Sequence, residues 1–193
     1  MKHVVLFSGG LDSTVCLAMA VQEGVVTALT VNYGQIAAES ERRTSAHIAA
    51  HYGVQHVYLD LRGFGQLAGS ALTTGGDVAV PQQTVVPGRN AMLLSVAASY
   101  AQTIGAHLIW IGCNLTDSEH YADCRPSFIS AMREVVQPVN IKAPLLRYSK
   151  RDVVSKANEL GVRVDWTSSC YTGTGCGKCA ACMVRSHALA NDA

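Results

Sequence analysis

Val4-Val5-Leu6-Phe7-Ser8-Gly9-Gly10-Leu11-Asp12-Ser13-Thr14 is the stretch that decides the fold of this chain. The four apolar residues that open it have the length and character of a buried strand, and apolar residues at helical spacing resume from Val15. The glycine-containing turn between them therefore joins a strand to a helix. Because the first N–H groups of a helix have no partner within it, this turn is predicted to bind an anion such as a phosphate.

Each residue around this turn has a predicted role in nucleotide binding. The glycines let the backbone approach a ligand closely, the hydroxyl groups add hydrogen-bond donors, and Asp12 can hold a cation or a water beside the phosphates. The turn contains no lysine, so it does not match the Walker pattern G-x-x-x-x-G-K-[ST]. An ordinary tight strand–helix turn is the alternative. The predicted cofactor-binding residues are Phe7, Ser8, Gly9, Gly10, Leu11, Asp12, Ser13 and Thr14, of which Asp12 and Ser13 are also predicted to be catalytic.

Length and composition narrow the class of protein. A chain of 193 residues is expected to form one domain, or one domain with a small appendage. Apolar residues make up 49% of it and the net charge is +1, without the basic stripe that marks nucleic-acid binders, so no nucleic-acid partner is expected. The sequence has neither a signal-like N-terminus nor an apolar run long enough to span a bilayer, which favours a cytoplasmic protein without membrane contact.

Downstream of the turn, the sequence predicts further strand–helix units. Strands alternating with helices favour an α/β fold with a doubly wound, Rossmann-like parallel sheet, whose ligands bind at the carboxyl ends of the strands. Residues 63–88 are too long for a simple connection and are predicted to be a lid or binding loop. The predicted strands are 25–31, 56–59 and 107–111; the predicted helices are 37–52, 91–104, 125–137, 149–160 and 183–190; residues 116–124 are predicted to be a polar loop and residues 138–146 an irregular connection.

Four of the seven cysteines crowd into the last quarter of the chain. Cysteines separated by two residues suit tetrahedral zinc, and four protein ligands leave no open position, so the predicted site is structural. An iron–sulfur cluster, unliganded thiols and a redox pair are the alternatives. The predicted zinc ligands are Cys170, Cys176, Cys179 and Cys182, whereas Cys16 and Cys113 are predicted to be packing residues.

The two clusters together carry a resemblance to a known family. The motif Ser-Gly-Gly-x-Asp-Ser resembles the pyrophosphate loop of the N-type ATP pyrophosphatases, which cleave ATP between the α and β phosphates. With the four cysteines, the chain is similar to the 7-cyano-7-deazaguanine synthase family of the queuosine pathway, from the first strand to near Arg185. The motifs that match are residues 7–14, Tyr33-Gly34-Gln35, Ser70-Ala71-Leu72-Thr73, Val86-Pro87-Gly88-Arg89-Asn90, Asp123-Cys124-Arg125 with Phe128, Ala143-Pro144-Leu145, and Ser169-Cys170-Tyr171 with the three later cysteines.

The resemblance implies a fold, a reaction and partners. The fold is adenine nucleotide alpha-hydrolase-like, with an ATP pyrophosphatase-like domain over residues 1–165 and a zinc module over residues 166–193 packed on it. The reaction converts 7-carboxy-7-deazaguanine and ammonia to the 7-cyano compound through an acyl adenylate and an amide, and it releases AMP and pyrophosphate. The implied cofactors are ATP, Mg²⁺ and structural Zn²⁺, and the implied assembly is a homodimer.

Two arginines and several polar residues are further candidates for the site. Arg89 and Arg125 are predicted to be catalytic, because a guanidinium group binds a phosphate or a carboxylate through two hydrogen bonds. Asp123 is predicted to bind the guanine-like edge of the base, with a loop-capping role as the alternative. The predicted substrate-binding residues are Tyr33, Gln35, Asn90, Asp123 and Arg125.

The chain departs from the family pattern at three places. Ile36 and Ala37 stand where the family usually has Arg-His, His120 and Ala122 flank Tyr121 where it usually has Gly-Tyr-Pro, and the segment before Pro87 is shorter than expected. His120 is a candidate general base or ammonia-handling group, or else a solvated loop histidine. A divergent enzyme that adenylates another deazaguanine, carboxylate or amide is therefore the first alternative. A tRNA-modifying adenylating enzyme and a nucleic-acid-binding ribbon on a degenerate nucleotide fold are less favoured, because the charge is near neutral.

Overall fold

The computed structural model describes residues 1–190, and a parallel five-stranded sheet lies at its centre. The strands are β1 (Lys2–Leu6), β2 (Val25–Asn32), β3 (Gln55–Asp60), β4 (Leu108–Trp110) and β5 (Asn140–Lys142). The helices are α1 (Leu11–Glu23), α2 (Ala38–His51), α3 (Gly63–Ala68), α4 (Arg89–Thr103), α5 (Leu115–His120), α6 (Pro126–Val135), α7 (Lys150–Glu159) and α8 (Ala180–Leu189). The strand order is β3-β2-β1-β4-β5, and every pairing is parallel.

Alternate side chains of β1 enter two separate cores, one on each face of the sheet. Val5 packs in a core with residues of α1, α2, α7 and α8, whereas Val4 packs in a core with residues of α4 and α6. Because both faces are covered by helices, β1 and β2 read as nearly continuous apolar runs rather than alternating ones. The predicted doubly wound sheet is confirmed.

The strand order places a crevice beside the end of β1. This strand pairs with β2 on one side and with β4 on the other, so the connections that follow β1 and β4 diverge, and ligands of open α/β sheets bind at such a point. Gly112 lies where the two connections meet. A side-chain carbon there would approach the backbone carbon of Asp12 to 3.0 Å and the nitrogen of Ser13 to 3.1 Å, so the close contact requires glycine.

Two segments that the sequence predicts to lack secondary structure contain helical turns or a strand. The prediction of a polar loop over residues 116–124 was wrong, because α5 and a 3₁₀ turn fill it. Asn114 begins α5 by accepting a hydrogen bond from the backbone N–H of Asp117 at 2.9 Å, so the polar composition concealed a capped helix. The prediction of an irregular connection over residues 138–146 was also wrong. It contains β5, which has only three residues and is therefore too short to show a pattern.

Several boundaries differ from the predicted ones. Helix α4 begins at Arg89 rather than residue 91. Helix α8 begins at Ala180 rather than residue 183, because the Cys179 sulfur accepts a hydrogen bond from the N–H of Cys182 and so caps the helix. The predicted lid segment contains α3 and a 3₁₀ turn at Pro81–Thr84, and its lid role stays a prediction. The last three residues of the predicted zinc module, 191–193, lie outside the described residues. No helix within residues 1–190 combines the length and the apolar character needed to cross a membrane.

Candidate active site

A cavity of about 330 Å³ opens at the carboxyl edge of the sheet, a size usual for small-molecule sites. Its wall combines the connection after β1 with the beginnings of α4 and α7, and with the segment that leads into the four cysteines. Five of the eight predicted cofactor-binding residues line it: Phe7, Ser8, Gly10, Asp12 and Ser13. The other three, Gly9, Leu11 and Thr14, are not among the lining residues and support the turn from behind.

The conformation of the turn depends on Gly9. Its φ of 77° lies in the left-handed region, and a side-chain carbon there would lie 2.8 Å from Cγ2 of Thr44 and 2.9 Å from the backbone nitrogen of Ser45. The hydroxyl groups of Ser13 and Thr14 both donate to the carbonyl oxygen of Gly10, at 3.0 and 2.8 Å. These bonds hold the first turn of α1 against the connection that follows β1.

Lys150 supplies the cation that the turn lacks. This residue is the first of α7, and its Nζ donates to Oδ2 of Asp12 at 2.5 Å. Asn114 donates from Nδ2 to both neighbouring carboxylates, to Asp12 at 3.1 Å and to Asp117 at 2.7 Å. Two carboxylates and one ammonium group are thus gathered in the wall of the cavity next to the turn, and the buried amide of Asn114 bridges the carboxylates.

The carboxylates of this cluster outnumber its ammonium group. Burial, together with the nearby charge of Asp12, raises the pKa of Asp117 to about 6, although Lys150 opposes the shift. Burial disfavours the charge of Lys150, yet the two carboxylates raise its pKa, so it remains an ammonium group. One cation faces two carboxylates, which leaves capacity for a further cation such as a divalent metal.

The segment before the four cysteines closes the phosphate side of the cavity. The backbone N–H of Ser168 donates to the carbonyl oxygen of Gly9 at 3.0 Å. Ser169 lines the cavity, and its hydroxyl oxygen is buried without a hydrogen-bond partner among the described residues. A side-chain carbon at Gly10 would lie 3.9 Å from that oxygen and 3.3 Å from the hydroxyl of Ser8. Two hydroxyl groups therefore flank the turn where a phosphate would lie.

Arg185 holds this segment in place from α8. Its guanidinium group donates to the hydroxyl of Thr167 at 2.7 Å and to the carbonyl oxygen of Val164 at 2.6 Å. These bonds tie the helix that carries the last cysteine to the chain just before Ser168.

The rest of the cavity contains a second pair of charged groups, Arg89 and Glu41. Burial opposes the charge of Arg89, but the nearby Tyr33 hydroxyl and the charge of Asp123 raise its pKa, so it stays cationic. No carboxylate of the described residues lies within ion-pair distance of it. A cationic side chain without an ion-pair partner in a cavity wall is suited to an anionic ligand.

Of the other predicted substrate-binding residues, the structure brings Tyr33, Gln35 and Asn90 to the cavity wall but not Asp123 or Arg125. The carboxylate of Asp123 accepts a hydrogen bond from the backbone N–H of Asn90 at 3.3 Å, near the beginning of α4. This contact supports the capping alternative. Arg125 is exposed and donates to the carbonyl oxygen of Ser118 at 3.2 Å. The substrate-binding roles of both residues stay predictions, as does the role of His120, which is exposed at the cavity rim.

The four predicted zinc ligands lie together. The sulfur atoms of Cys170, Cys176, Cys179 and Cys182 all lie within 4.8 Å of one another. Sulfurs of a tetrahedral zinc site are about 3.8 Å apart, so small adjustments would complete the geometry. Burial opposes ionisation of Cys170, but hydrogen bonds from Thr172 and from the N–H of Cys176 lower its pKa to about 5, which favours the thiolate that zinc requires. The arrangement is consistent with structural zinc.

Sequence reasoning missed Lys150, Asp117, Glu41 and the hydroxyl role of Ser169. Lys150 was visible only as part of a capping box, which the structure confirms. The spacing Asn114-x-x-Asp117, directly after a predicted strand, could have indicated the second carboxylate. Glu41 carried no pattern that distinguishes it from the exposed acids around it.

Comparison with known proteins agrees with this site. A family model described as queuosine biosynthesis protein QueC matches residues 2–192. The 7-cyano-7-deazaguanine synthase of Methanothermobacter thermautotrophicus is 32% identical over 98% of this chain and 94% of its own length. That of Anaeromyxobacter dehalogenans is 40% identical over 98% of this chain and 91% of its own length.

The fold has relatives of more distant sequence. The structure of NMN synthetase from Francisella tularensis superimposes with a TM-score of 0.57 at 16% identity, over 89% of this chain and 66% of that one, a likeness that shows the fold alone. The family match, in contrast, extends over nearly the whole sequence and includes both the turn and the four cysteines. The chain therefore belongs to the QueC family of queuosine biosynthesis proteins, as its motifs predicted.

Proposed function

We infer that this chain is a 7-cyano-7-deazaguanine synthase, an ATP-dependent carbon–nitrogen ligase. One observation carries the proposal: a single cavity contains both the phosphate-binding turn with its Asp12–Lys150 pair and the unpaired cation Arg89. The turn suits a nucleotide, and the second cation suits a carboxylate that must reach the α-phosphate. The names of the family relatives supply the identity of the substrate.

The chemistry consumes two molecules of ATP for each nitrile. A carboxylate oxygen of 7-carboxy-7-deazaguanine attacks the α-phosphorus, the bond to the bridging oxygen breaks, and pyrophosphate leaves. Ammonia then attacks the acyl carbon, AMP leaves with the former carboxylate oxygen, and loss of a proton gives the amide. In a second cycle the amide oxygen attacks the α-phosphorus of a new ATP, the bond to the bridging oxygen breaks, and pyrophosphate leaves again. Loss of AMP and of the nitrogen-bound protons gives the nitrile.

The residues of the cavity would serve this reaction mainly by binding and electrostatics. Lys150, the backbone N–H groups of the turn and the hydroxyl of Ser8 would bind the leaving pyrophosphate. The hydroxyl of Ser169 would join them, which would give this buried donor the partner it lacks. Arg89 would bind the carboxylate of the substrate and hold it for attack.

Two metals belong to the proposal. The carboxylates of Asp12 and Asp117 fit Mg²⁺, which prefers hard oxygen ligands, and Asn114 already holds both in place. Magnesium would neutralise charge between the phosphates. The four cysteines would hold a structural zinc, because four protein ligands leave no position for a substrate.

The organisation of the protein completes the proposal. Residues 1–165 would act as the ATP pyrophosphatase-like domain and residues 166–193 as a zinc module packed on it. A cytoplasmic location is favoured because none of the seven cysteines forms a disulfide, as is usual in a reducing compartment. Homodimer formation rests on the family resemblance.

The tRNA-thiolating alternative requires a reactive cysteine pair near the turn. Cys113 and Cys124 do line the cavity and interact with each other. However, the hydrogen bond to Cys124 and burial raise the pKa of Cys113 well above its ordinary value, and both thiols are less than 5% exposed. A thiol that resists ionisation is a poor nucleophile, so the pair favours packing.

Product analysis tests the proposed function. The protein is incubated with 7-carboxy-7-deazaguanine, ATP, Mg²⁺ and ammonium, and the products are identified by mass spectrometry. We expect the nitrile, with two AMP and two pyrophosphate for each nitrile. Asp12→Asn should abolish turnover, whereas the matched control Asp165→Asn, at an exposed ion pair with Arg163, should not. Release of ADP and phosphate would refute the assignment, and accumulation of the amide would favour a divergent enzyme.

A further inference from the structure

Glu41 is a carboxylate in the cavity wall that no cation neutralises. It lies on α2, and its Oε2 accepts a hydrogen bond from Nε2 of Gln35 at 2.8 Å. Within residues 1–190, no lysine, arginine or histidine nitrogen comes within the 4.0 Å of an ion pair with it. Removal from solvent, the largest effect on this group, raises its pKa. Glu41 is half-buried, and beyond one amide hydrogen bond its carboxylate has no partner of opposite charge within ion-pair distance, so its position in a cavity wall indicates a ligand that supplies donors.

Gln35 holds this carboxylate in position and has no free hydrogen of its own. Its Nε2 donates to the carbonyl oxygen of Val31 at 3.2 Å as well as to Glu41, and its Oε1 accepts from the N–H of Tyr33 at 2.8 Å. An amide nitrogen has two hydrogens, and both are used. Gln35 therefore has no donor left for a ligand, and Glu41 is the charged acceptor beside it.

The surroundings of Glu41 suit a planar heterocycle that also bears a negative charge. The cavity wall here includes the apolar side chains of Tyr33, Leu72 and Tyr171, which pack together in one small cluster. Arg89 lies in the same wall, and its charge is felt by Glu41 although the two groups form no ion pair. The site thus offers an acceptor, a cation and apolar faces to one ligand.

We propose that Glu41 is the specificity-determining residue for the base, and that its carboxylate accepts hydrogen bonds from the ring N1–H and the 2-amino group of the deazaguanine. This inference rests on the function proposed above and names the group that selects its substrate. A guanine-type edge presents two adjacent donors to two carboxylate oxygens. A xanthine-type edge presents one donor and one acceptor, and an adenine-type edge presents an acceptor beside an amino group, so an ionised carboxylate opposes both.

The variant Glu41→Gln tests this assignment, because an amide offers one acceptor and one donor. The Michaelis constants are measured for ATP, for 7-carboxy-7-deazaguanine, and for the analogue whose 2-amino group is replaced by oxygen. We expect the constant for the deazaguanine to rise about tenfold to hundredfold, the constant for ATP to stay within about twofold, and the preference to shift toward the 2-oxo analogue. Glu39→Gln is the matched control, on the same helix but exposed and paired with Arg42, and it should change none of these.

Different results separate this inference from the proposed function. A rise in the constant for ATP, or an unchanged preference between the two bases, would show that Glu41 contacts the adenine or only supports the fold, and would overturn the inference alone. Wild-type protein that neither binds nor converts the deazaguanine would overturn the proposed function, and this inference with it. If Glu41→Gln does not fold, Glu41→Asp replaces it: the carboxylate persists, so the deazaguanine constant should rise with the base preference unchanged, and a lost preference would again refute the assignment.

Discussion

Replacement of Lys150 by methionine measures what the cation contributes to the site. Its Nζ lies 2.5 Å from Asp12, and the two side chains are only 12% and 19% exposed. Methionine has nearly the same length, so the change removes the charge with little change of volume. The carboxylates of Asp12 and Asp117 would then share one buried site without a counterion, since only the amide of Asn114 bridges them.

The loss of stability can be bounded from these contacts. Breaking a buried ion pair by removing one partner costs about 3–5 kcal/mol. We expect the lower end, about 3 kcal/mol, because both side chains keep some exposure and because Asp117 can take up a proton. In the double variant Asp12→Asn/Lys150→Met no unpaired charge remains on this pair. About 1–2 kcal/mol of the loss should therefore be recovered.

Urea unfolding of the zinc-loaded protein at pH 8, followed by circular dichroism, gives the two free energies of unfolding. The matched control is Lys156→Met on the same helix, where the partner Glu159 is 66% exposed, and its cost should stay below about 1 kcal/mol. A Lys150→Met variant that is as stable as this control would refute the reasoning. So would a double variant less stable than the single one, because the pair would then not be the source of the effect.

Three further outcomes are expected. The variant Cys179→Ser should be insoluble or unfolded and should contain no zinc. A structural zinc contributes about 10–16 kcal/mol in small peptides, whereas whole domains are stable by only about 5–15 kcal/mol. A folded variant that metal analysis shows to lack zinc would contradict this prediction. The variant Gly9→Ala should lower the midpoint of thermal unfolding, because φ at Gly9 is 77° and the added carbon would lie 2.9 Å from a backbone atom. The variant Gly10→Ala should keep the midpoint and lose ATP affinity, because φ at Gly10 is −72° and the added carbon comes no closer than 3.3 Å, to a flexible hydroxyl group. Burial is the main cause that raises the pKa of Asp117 from 3.8 to about 6, so its contribution to stability is fully present below pH 3.8 and is lost as the pH rises through 6. The difference in unfolding free energy between wild type and Asp117→Asn should therefore change between pH 3.8 and 6. A difference that stays constant over this range would contradict the prediction.

The sequence predicted those parts of the site that are local in the chain. The turn between β1 and α1 could be recognised because strand, glycines and helix follow one another within eleven residues. The four cysteines could be recognised for the same reason. Lys150 could not, because it reaches Asp12 across 138 positions, through the packing of α7 against α1. Only the tertiary structure places this helix-capping sequence beside the turn between β1 and α1.

The predicted base-recognition pair illustrates a second limit. An acid and an arginine two residues apart, Asp123 and Arg125, appeared suited to the substrate, but spacing does not determine which way side chains point. The structure places the acid against the beginning of α4 and the arginine at the surface. It brings Glu41 and Arg89, which are 48 positions apart, to the cavity wall instead. The two pairs differ in their burial and in the hydrogen bonds that their side chains already form, and the amino-acid composition reveals neither.

The hydrogen bond from Ser168 to Gly9 joins the segment that leads into the four cysteines to the turn between β1 and α1. The residue after Ser169 is the first cysteine of the cluster, and Arg185 fastens the same segment from the helix that carries the last one. Loss of the proposed zinc would release this segment, and the turn would then lose its backbone hydrogen bond from Ser168. Linkage between equilibrium affinities is reciprocal, so ATP should raise the affinity of the protein for zinc by the factor with which zinc raises its affinity for ATP. A cell short of zinc would thus lose the use of ATP by this protein together with its fold.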